Sequence, residues 1–304
     1  MRILAFGATG FVGGHLVPHL LERGHEVTVA ARSGKANAPA GAKTIPADPT
    51  APGPWQDLVA AHDAVINLSG SPVATRWTRT AKDRILQSRV LSTRHIVDAL
   101  TGATGKTLLC ANAVGFYGDG GDTFCTEDSP RGHGFLADVA EAWQSEALHA
   151  RQFGHRVVVP RISVVLGRGG ALSKMITPFS LGLGGRLGHG RQWFPWIHVT
   201  DLVRAMAFAL ETPAASGPFN ACAPAPVTNA DFTKALAAAL KRPAFLPVPA
   251  FALRLAMGEA ADMLLTGQRC LPAVLTRLGF EFAFPRVEDA LTDIIPRFNT
   301  ARNA

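Results

Sequence analysis

The chain is poor in residues on which whole classes of function rest. One of its 304 residues is tyrosine, so phenol chemistry has a single possible seat, Tyr117. Four are cysteine, Cys110, Cys125, Cys222 and Cys270, and no two have metal-ligand spacing. That excludes a zinc-ribbon or finger reading, and no metal site is expected. The four read as reduced thiols, mostly in the core. No apolar run approaches the roughly 20 residues of a membrane-spanning helix, so no membrane partner is expected. Lysine and arginine outnumber carboxylates 30 to 23, giving a net charge of +7, yet they are scattered. Without a basic block or an aromatic-basic ladder, nucleic acid is not an expected partner. The excess charge suits an anionic small molecule and equally suits plain solubility. No signal segment precedes the first strand, so a cytoplasmic location is expected. There is no internal repeat. Gly102-Ala-Thr-Gly105-Lys106-Thr107 has two residues where a P-loop has four, and it precedes a strand where that loop follows one; it is a turn.

What is present is concentrated first in residues 1–32. A short apolar run at residues 3–6 reads as a buried parallel strand. Gly7-Ala-Thr9-Gly10-Phe11-Val12-Gly13 follows, then a helical pattern through Leu16, Leu20 and Leu21, then a second strand at residues 26–31. This is a β-α-β unit with glycines at its first turn. Gly7 turns the chain sharply, Gly10 admits a pyrophosphate to the backbone, and Gly13 lets the helix lie close on the sheet. The helix N-terminus then offers free N–H groups to phosphate. Strand, turn and helix in this order make a nucleotide cofactor the expected ligand. An NAD site usually places Asp or Glu at the end of the second strand, to hold the ribose 2′-hydroxyl. Here Ala31-Arg32-Ser33 stands there, and Arg32 offers a planar fork to a 2′-phosphate. NADP(H) is therefore expected, with NAD(H) as the alternative.

Further along, residues 33–54 read as a loop with a possible short strand at 44–45. Residues 63–70 read as a strand ending in Asn67-Leu68-Ser69-Gly70, which would pass beside the cofactor. Residues 78–100 read as a long helix, with Ile85, Leu86, Leu91, Ile96, Val97 and Leu100 as core positions. Lys82 reads as an ordinary solvated residue, whereas Arg89 sits beside the apolar stripe and needs a partner. Residues 107–113, 134–153 and 156–166 read as strand, helix and strand. The alternation argues for a Rossmann-type, doubly wound parallel α/β sheet over residues 1–170.

The remainder changes character. Residues 182–190 are rich in glycine; Thr200 and Asn229 read as helix caps; a short strand is expected at 219–222. Residues 171–304 are expected to form a smaller mixed lobe, helical over about 245–296, with some segments returning to the sheet. It would close the crevice over a small-molecule substrate. Lys174, Gln192 and Trp193 are candidate substrate contacts, an exposed Trp being suited to stack on a sugar or ring. Oligomeric state is not readable.

Gly7-x-x-Gly10-x-x-Gly13, Tyr117-Gly118 and Trp196-Ile-His198-Val-Thr-Asp201 together resemble the extended short-chain dehydrogenase/reductases, within the NAD-dependent epimerase/dehydratase superfamily. Ser88-Arg89, Val165-Leu-Gly-Arg-Gly-Gly170, Gly190-Arg-Gln-Trp-Phe-Pro-Trp-Ile-His198 and Gly267-Gln-Arg269 resemble one atypical branch, the epimerase family proteins with a C-terminal domain of unknown function. The resemblance spans nearly the whole chain. It implies NADP(H) contacts at Ala31, Arg32, Leu68, Ser69, Gly70, Arg89 and Ile162, beside the glycine turn. It implies an oxidoreductase or epimerase, and no particular substrate.

Typical members of that family use Tyr-x-x-x-Lys, a phenol as general acid/base and a lysine that lowers its pKa. No such pair exists here, because four residues after Tyr117 stands Gly121. The two positions look occupied by Phe135 and Val139, and Asn112-Ala113 stands where a supporting serine would. Tyr117, Asn112 and His198 are the remaining candidates for proton transfer; Tyr117 reads at least as well as a packed residue bonded to backbone, and His198 reads better as a structural histidine near a helix start. Asp138 is expected to face solvent. The competing reading is a catalytically silent NADP(H)-binding sensor or scaffold.

Overall fold

A computed structural model describes residues 1–32 and 38–300; Ser33 and the start of the expected 33–54 loop lie outside them. The first unit runs β1 (Arg2–Phe6), α1 (Phe11–Glu22), β2 (Glu26–Ala31) and β3 (Lys43–Pro46). Then come β4 (Ala64–Asn67), α2 (Arg79–Leu100), β5 (Thr107–Cys110), β6 (Asn112–Ala113), β7 (Phe124–Cys125), α3 (Phe135–Leu148) and β8 (Arg156–Ile162). After these follow β9 (Val164–Leu166), α4 (Gly170–Ser180), β10 (Trp193–Phe194), β11 (Trp196–His198), α5 (Val199–Glu211) and β12 (Gly217–Ala221). The chain ends with β13 (Val227–Thr228), α6 (Asn229–Leu240), α7 (Ala250–Met257), α8 (Asp262–Leu265), β14 (Arg269–Cys270), α9 (Ala273–Arg277) and α10 (Val287–Thr300).

The central sheet has the order β12-β8-β5-β4-β1-β2-β3, all neighbours parallel, with β6 extending the pairing along β8. The winding reverses between β1 and β4, the switch point at which such sheets open a crevice. Because strand side chains alternate in direction, each strand feeds two cores. Ile3, Val29, Ile66, Leu109 and Val158 pack on one face with α1 and α5. Leu4, Phe6, Val65, Leu108 and Val157 pack on the other with α2 and α3. A third core, built from Leu172, Phe179, Trp196, Phe232 and Leu291, holds the smaller lobe.

Several sequence expectations are corrected. The strand expected over 156–166 breaks after Ile162. Ser163 sends both its N–H and its hydroxyl to the carbonyl of Ala221, and the chain then leaves the sheet so that β9 pairs with β11. α5 is capped by His198, whose Nδ1 accepts from the Thr200 N–H, and not by Thr200. α6 is capped by Thr228 in a reciprocal box with Asp231; Asn229 instead accepts the N–H of Leu187. The helix expected to reach residue 153 tightens into a 3₁₀ turn at His149–Phe153. On α2, Leu86 and Leu91 are half-buried, and the polar pair Ser92 and Thr93 takes core positions. From beyond residue 170, β12 joins the sheet and α5 forms one of its covering layers.

Two features of the lobe stand out. Asp201, fully buried, accepts the N–H groups of Ala283 and Phe284 and pairs with Arg204, which ties the C-terminal chain to α5. α7 buries none of its residues, and Phe251 and Leu255 are 73% and 79% exposed on one helix face. No helix among the described residues is long and apolar enough to cross a membrane.

Replacing Asp201 by alanine leaves two N–H groups and a guanidinium without their acceptor. About 3 kcal/mol of stability is expected to be lost, which urea denaturation followed by tryptophan fluorescence will measure.

Candidate cofactor and substrate site

The crevice begins where β1 and β4 end side by side, Phe6 opposite Asn67. Gly7 leaves β1 with φ +68°, and a Cβ there would lie 2.6 Å from the carbonyl carbon of Leu68. A Cβ on Gly13 would lie 2.3 Å from Cα of Ala8. Only glycine allows either approach. α1 starts at Gly10 with no side-chain cap and no acidic residue in its first turn. Its dipole end and first N–H groups are thus left for an external anion. Thr9 and Gly10 are exposed at this opening, Val12 is half-buried, and Phe11 packs against Gly167, Gly169 and Gly170.

The second wall is the turn after β4. Asn67 is buried, donates to Thr93 and accepts from the Ser69 N–H, which fixes Leu68 and Ser69 beside Gly7. Arg89 reaches across from α2 and bonds the carbonyls of Ser71 and Ile85. Its guanidinium lies against Gly70 and 5.2 Å from the centre of the Trp143 ring. No carboxylate pairs with it among the described residues, and burial pushes its pKa down to about 10. It therefore stays a half-buried cation at neutral pH, a charge that favours an anion beside it. At the end of β2, Ala31 is buried and Arg32 exposed. Asp48, held below the ordinary carboxylate range first by the Thr50 hydroxyl and more weakly by Arg32, lies within electrostatic reach of that guanidinium. Ile162 ends β8 opposite Ala113 and is half-buried. A bare helix end, a floor a Cβ would fill and two cations suit a phosphorylated dinucleotide.

The proton-transfer positions look different. Phe135 opens α3 and packs edge-on against Trp77, with Lys82 Nζ 5.1 Å from its ring centre, and Val139 is buried. Lys82 is ion-paired to Glu259, so it bridges α2 to the lobe instead of standing free as expected. Asp138 is exposed and pairs with Arg131. Tyr117 is 3% exposed; its hydroxyl donates to Asn220 at 2.7 Å and accepts from Arg161 at 2.7 Å. Burial drives its pKa far above the ordinary phenol value, so it stays neutral at any physiological pH. Asn112 is buried and donates to the carbonyl of Ala140. His198 is buried, stacked on Phe284 and 3.4 Å from Asp293. All three candidates have their polar atoms engaged internally, and the geometry gives them architectural work.

On the lobe, Lys174 is exposed on α4. Gln192 is buried and donates to the carbonyls of Leu187 and Leu264, so it holds its loop. Trp193 is half-buried and donates to Asp122. Its ring meets Arg269, whose guanidinium carbon lies 4.3 Å from the centre of the Trp193 ring and 3.9 Å from that of Phe124. Arg269 ends the Gly267-Gln-Arg269 motif of the sequence. Its partners stand at positions 124 and 193, and no local pattern joins them.

The family described as "NAD dependent epimerase/dehydratase family" matches residues 3–222, and a "Domain of unknown function (DUF1731)" matches residues 248–294. The chain is similar to the epimerase family protein SDR39U1 homolog, chloroplastic, of Arabidopsis thaliana, at 41% identity over 97% of this chain and 87% of that one. It is similar to the epimerase family protein YfhF of Bacillus subtilis, at 38% identity over 97% and 98%. Among solved structures it resembles human epimerase family protein SDR39U1 (isoform 2), crystallised with NADPH, with a TM-score of 0.85 and 35% identity over 97% of this chain and 99% of that chain. It also resembles a nucleoside-diphosphate sugar epimerase from Corynebacterium glutamicum, with a TM-score of 0.76 and 31% identity over all of this chain and 67% of that one.

Tyr117→Phe leaves Asn220 and Arg161 each one partner short. It is expected to cost about 1–3 kcal/mol in chemical denaturation and to leave cofactor affinity unchanged by fluorescence titration.

Proposed function

The chain belongs to the NAD dependent epimerase/dehydratase family, and we propose that it is an NADP(H)-dependent oxidoreductase or epimerase of a small polar, sugar-like substrate. The observation that carries this reading is the uncapped start of α1 against Leu68, closed by Gly7 and Gly13. When bound, the nicotinamide supplies a hydride donor or acceptor. The chain's own residues do the rest. N–H groups at residues 11–13 hold the diphosphate, the Gly10 N–H being donated to the Gly7 carbonyl. Leu68, Ser69 and Gly70 bound the ribose side, and Ile162 flanks it at the end of β8. Arg32 takes the 2′-phosphate, with Ala31 leaving room beside it, and Arg89 supplies a second cation. The substrate lies between the unit 1–170 and the lobe 171–304, near Trp193, with Lys174 and Gln192 on the lobe side. The four free thiols fit a reducing compartment, and we place the protein in the cytoplasm.

A second reading, a cofactor sensor without turnover, is favoured by one specific observation: Phe135 and Val139 have no ionisable group to exchange a proton, and Tyr117 is sealed. Exposure to NADPH with a panel of sugar nucleotides and carbonyl compounds separates the two. Loss of reduced-nicotinamide absorbance or appearance of epimers supports the enzyme; tight binding with no product across the panel supports the sensor.

NADPH is expected to bind more tightly than NADH. Arg32→Ala is expected to weaken NADPH by about tenfold or more, in line with one charge-assisted contact, and to leave NADH affinity nearly unchanged. Isothermal titration reads both; equal affinities, or no loss in the variant, overturn the 2′-phosphate assignment.

A further inference from the structure

Three of the four thiols gather at the seam between sheet and lobe. Cys125 ends β7 and Cys270 ends β14, and the two strands pair in parallel with Cys125 directly opposite Cys270. Residues opposed in a ladder point to the same face. Adjacent strands lie about 4.8 Å apart, inside the Cα separations that a disulfide spans. The thiol of Cys125 donates to the carbonyl of Thr123, and the two cysteines sense each other, the neighbouring thiol lowering the pKa of Cys125 and raising that of Cys270. Cys222, just beyond β12, belongs to the same buried cluster, together with Tyr117 and Phe116. Cys110 lies elsewhere, against Thr93 and Asn67.

We propose that Cys125 and Cys270 form a reversible oxidation site, closing to an intramolecular disulfide by exchange with a small-molecule disulfide such as oxidised glutathione. Cys125 is the attacking group. It adjoins the exposed Phe124, and a Cβ on Gly120 would come within 2.9 Å of its sulfur, so a side-chain-free turn covers it. Its thiolate attacks one sulfur of glutathione disulfide and expels the first glutathione thiolate. The Cys270 thiolate then attacks the Cys125 sulfur and expels the second. The protein gives up two electrons and two protons, and the oxidant becomes two molecules of reduced glutathione. Both thiols are buried, at 5% and 2% exposure, so exchange waits for the two-residue strand pair to part and is slow.

The bond would matter because of what flanks it. Gln268 donates to the carbonyl of Gly118, Gly120 donates to that of Gly267, and Asn220 donates to those of Cys125 and Leu271. Arg269, beside Cys270, is the cation held between Phe124 and Trp193. Oxidation would convert this polar seam into a covalent one and fix that wall of the crevice. The inference does not depend on the cofactor reading.

The full chain is incubated natively with oxidised glutathione, then unfolded in denaturant, alkylated without reduction and digested. A peptide joining Cys125 to Cys270 is expected, with alkylation lost at those two positions and kept at Cys110 and Cys222. The melting temperature, followed by tryptophan fluorescence, is expected to rise and to return with dithiothreitol. Cys125→Ser and Cys270→Ser each abolish both changes, and Cys222→Ser retains them. Four alkylated thiols after prolonged exposure, mixed glutathione adducts alone, or a bond to Cys222 would overturn the proposal.

Discussion

The fold turns on how near one helix comes to the strand before it. α1 lies against its own entry turn so closely that a methyl at Gly13 would overlap the backbone of Ala8. That contact aims the helix end at the gap between β1 and β4, and β4 then sets its own exit turn against Gly7. Asn67 and Arg89 hold the second turn from behind, through Thr93 and the carbonyls of Ser71 and Ile85. The wall is rigid because it is backbone packed on backbone, with few side-chain rotamers left to order when a ligand arrives.

A buried polar hub joins the two parts of the molecule. Arg161 on β8 bonds Gln144, the Tyr117 hydroxyl and the Glu127 carbonyl, and stacks 3.6 Å from the centre of Phe116. Glu127 accepts from the N–H groups of Asn220 and Val274, so strand β12 and helix α9 meet on one carboxylate. The lone tyrosine is consumed in this hub. Its phenol is therefore not free for proton transfer.

The first β-α-β unit was legible because all its signals are local: glycine spacing, a helical period and an apolar strand within 32 residues. Arg89 was legible as a long charge beside an apolar stripe, though the Ser71 carbonyl that meets it was not. The break at Ser163 was invisible, since the acceptor that draws the chain out of the sheet sits at Ala221. Thr200 and Asn229 were reasonable caps by residue type, but the neighbours His198 and Thr228 won, because tertiary contacts fix where each helix begins. Lys82 looked solvated because Glu259 is far away in sequence. The pairings of Arg269 with Trp193 and of Cys125 with Cys270 join distant segments, and no period or spacing encodes them.

α7 has a practical consequence for work in solution. With Phe251 and Leu255 presented on one face and nothing of the helix sealed inside, the native protein offers apolar ground to an environment-sensitive dye before any unfolding begins. Such a probe starts from a raised native signal, so calorimetry or the intrinsic indole signal is the sounder thermometer.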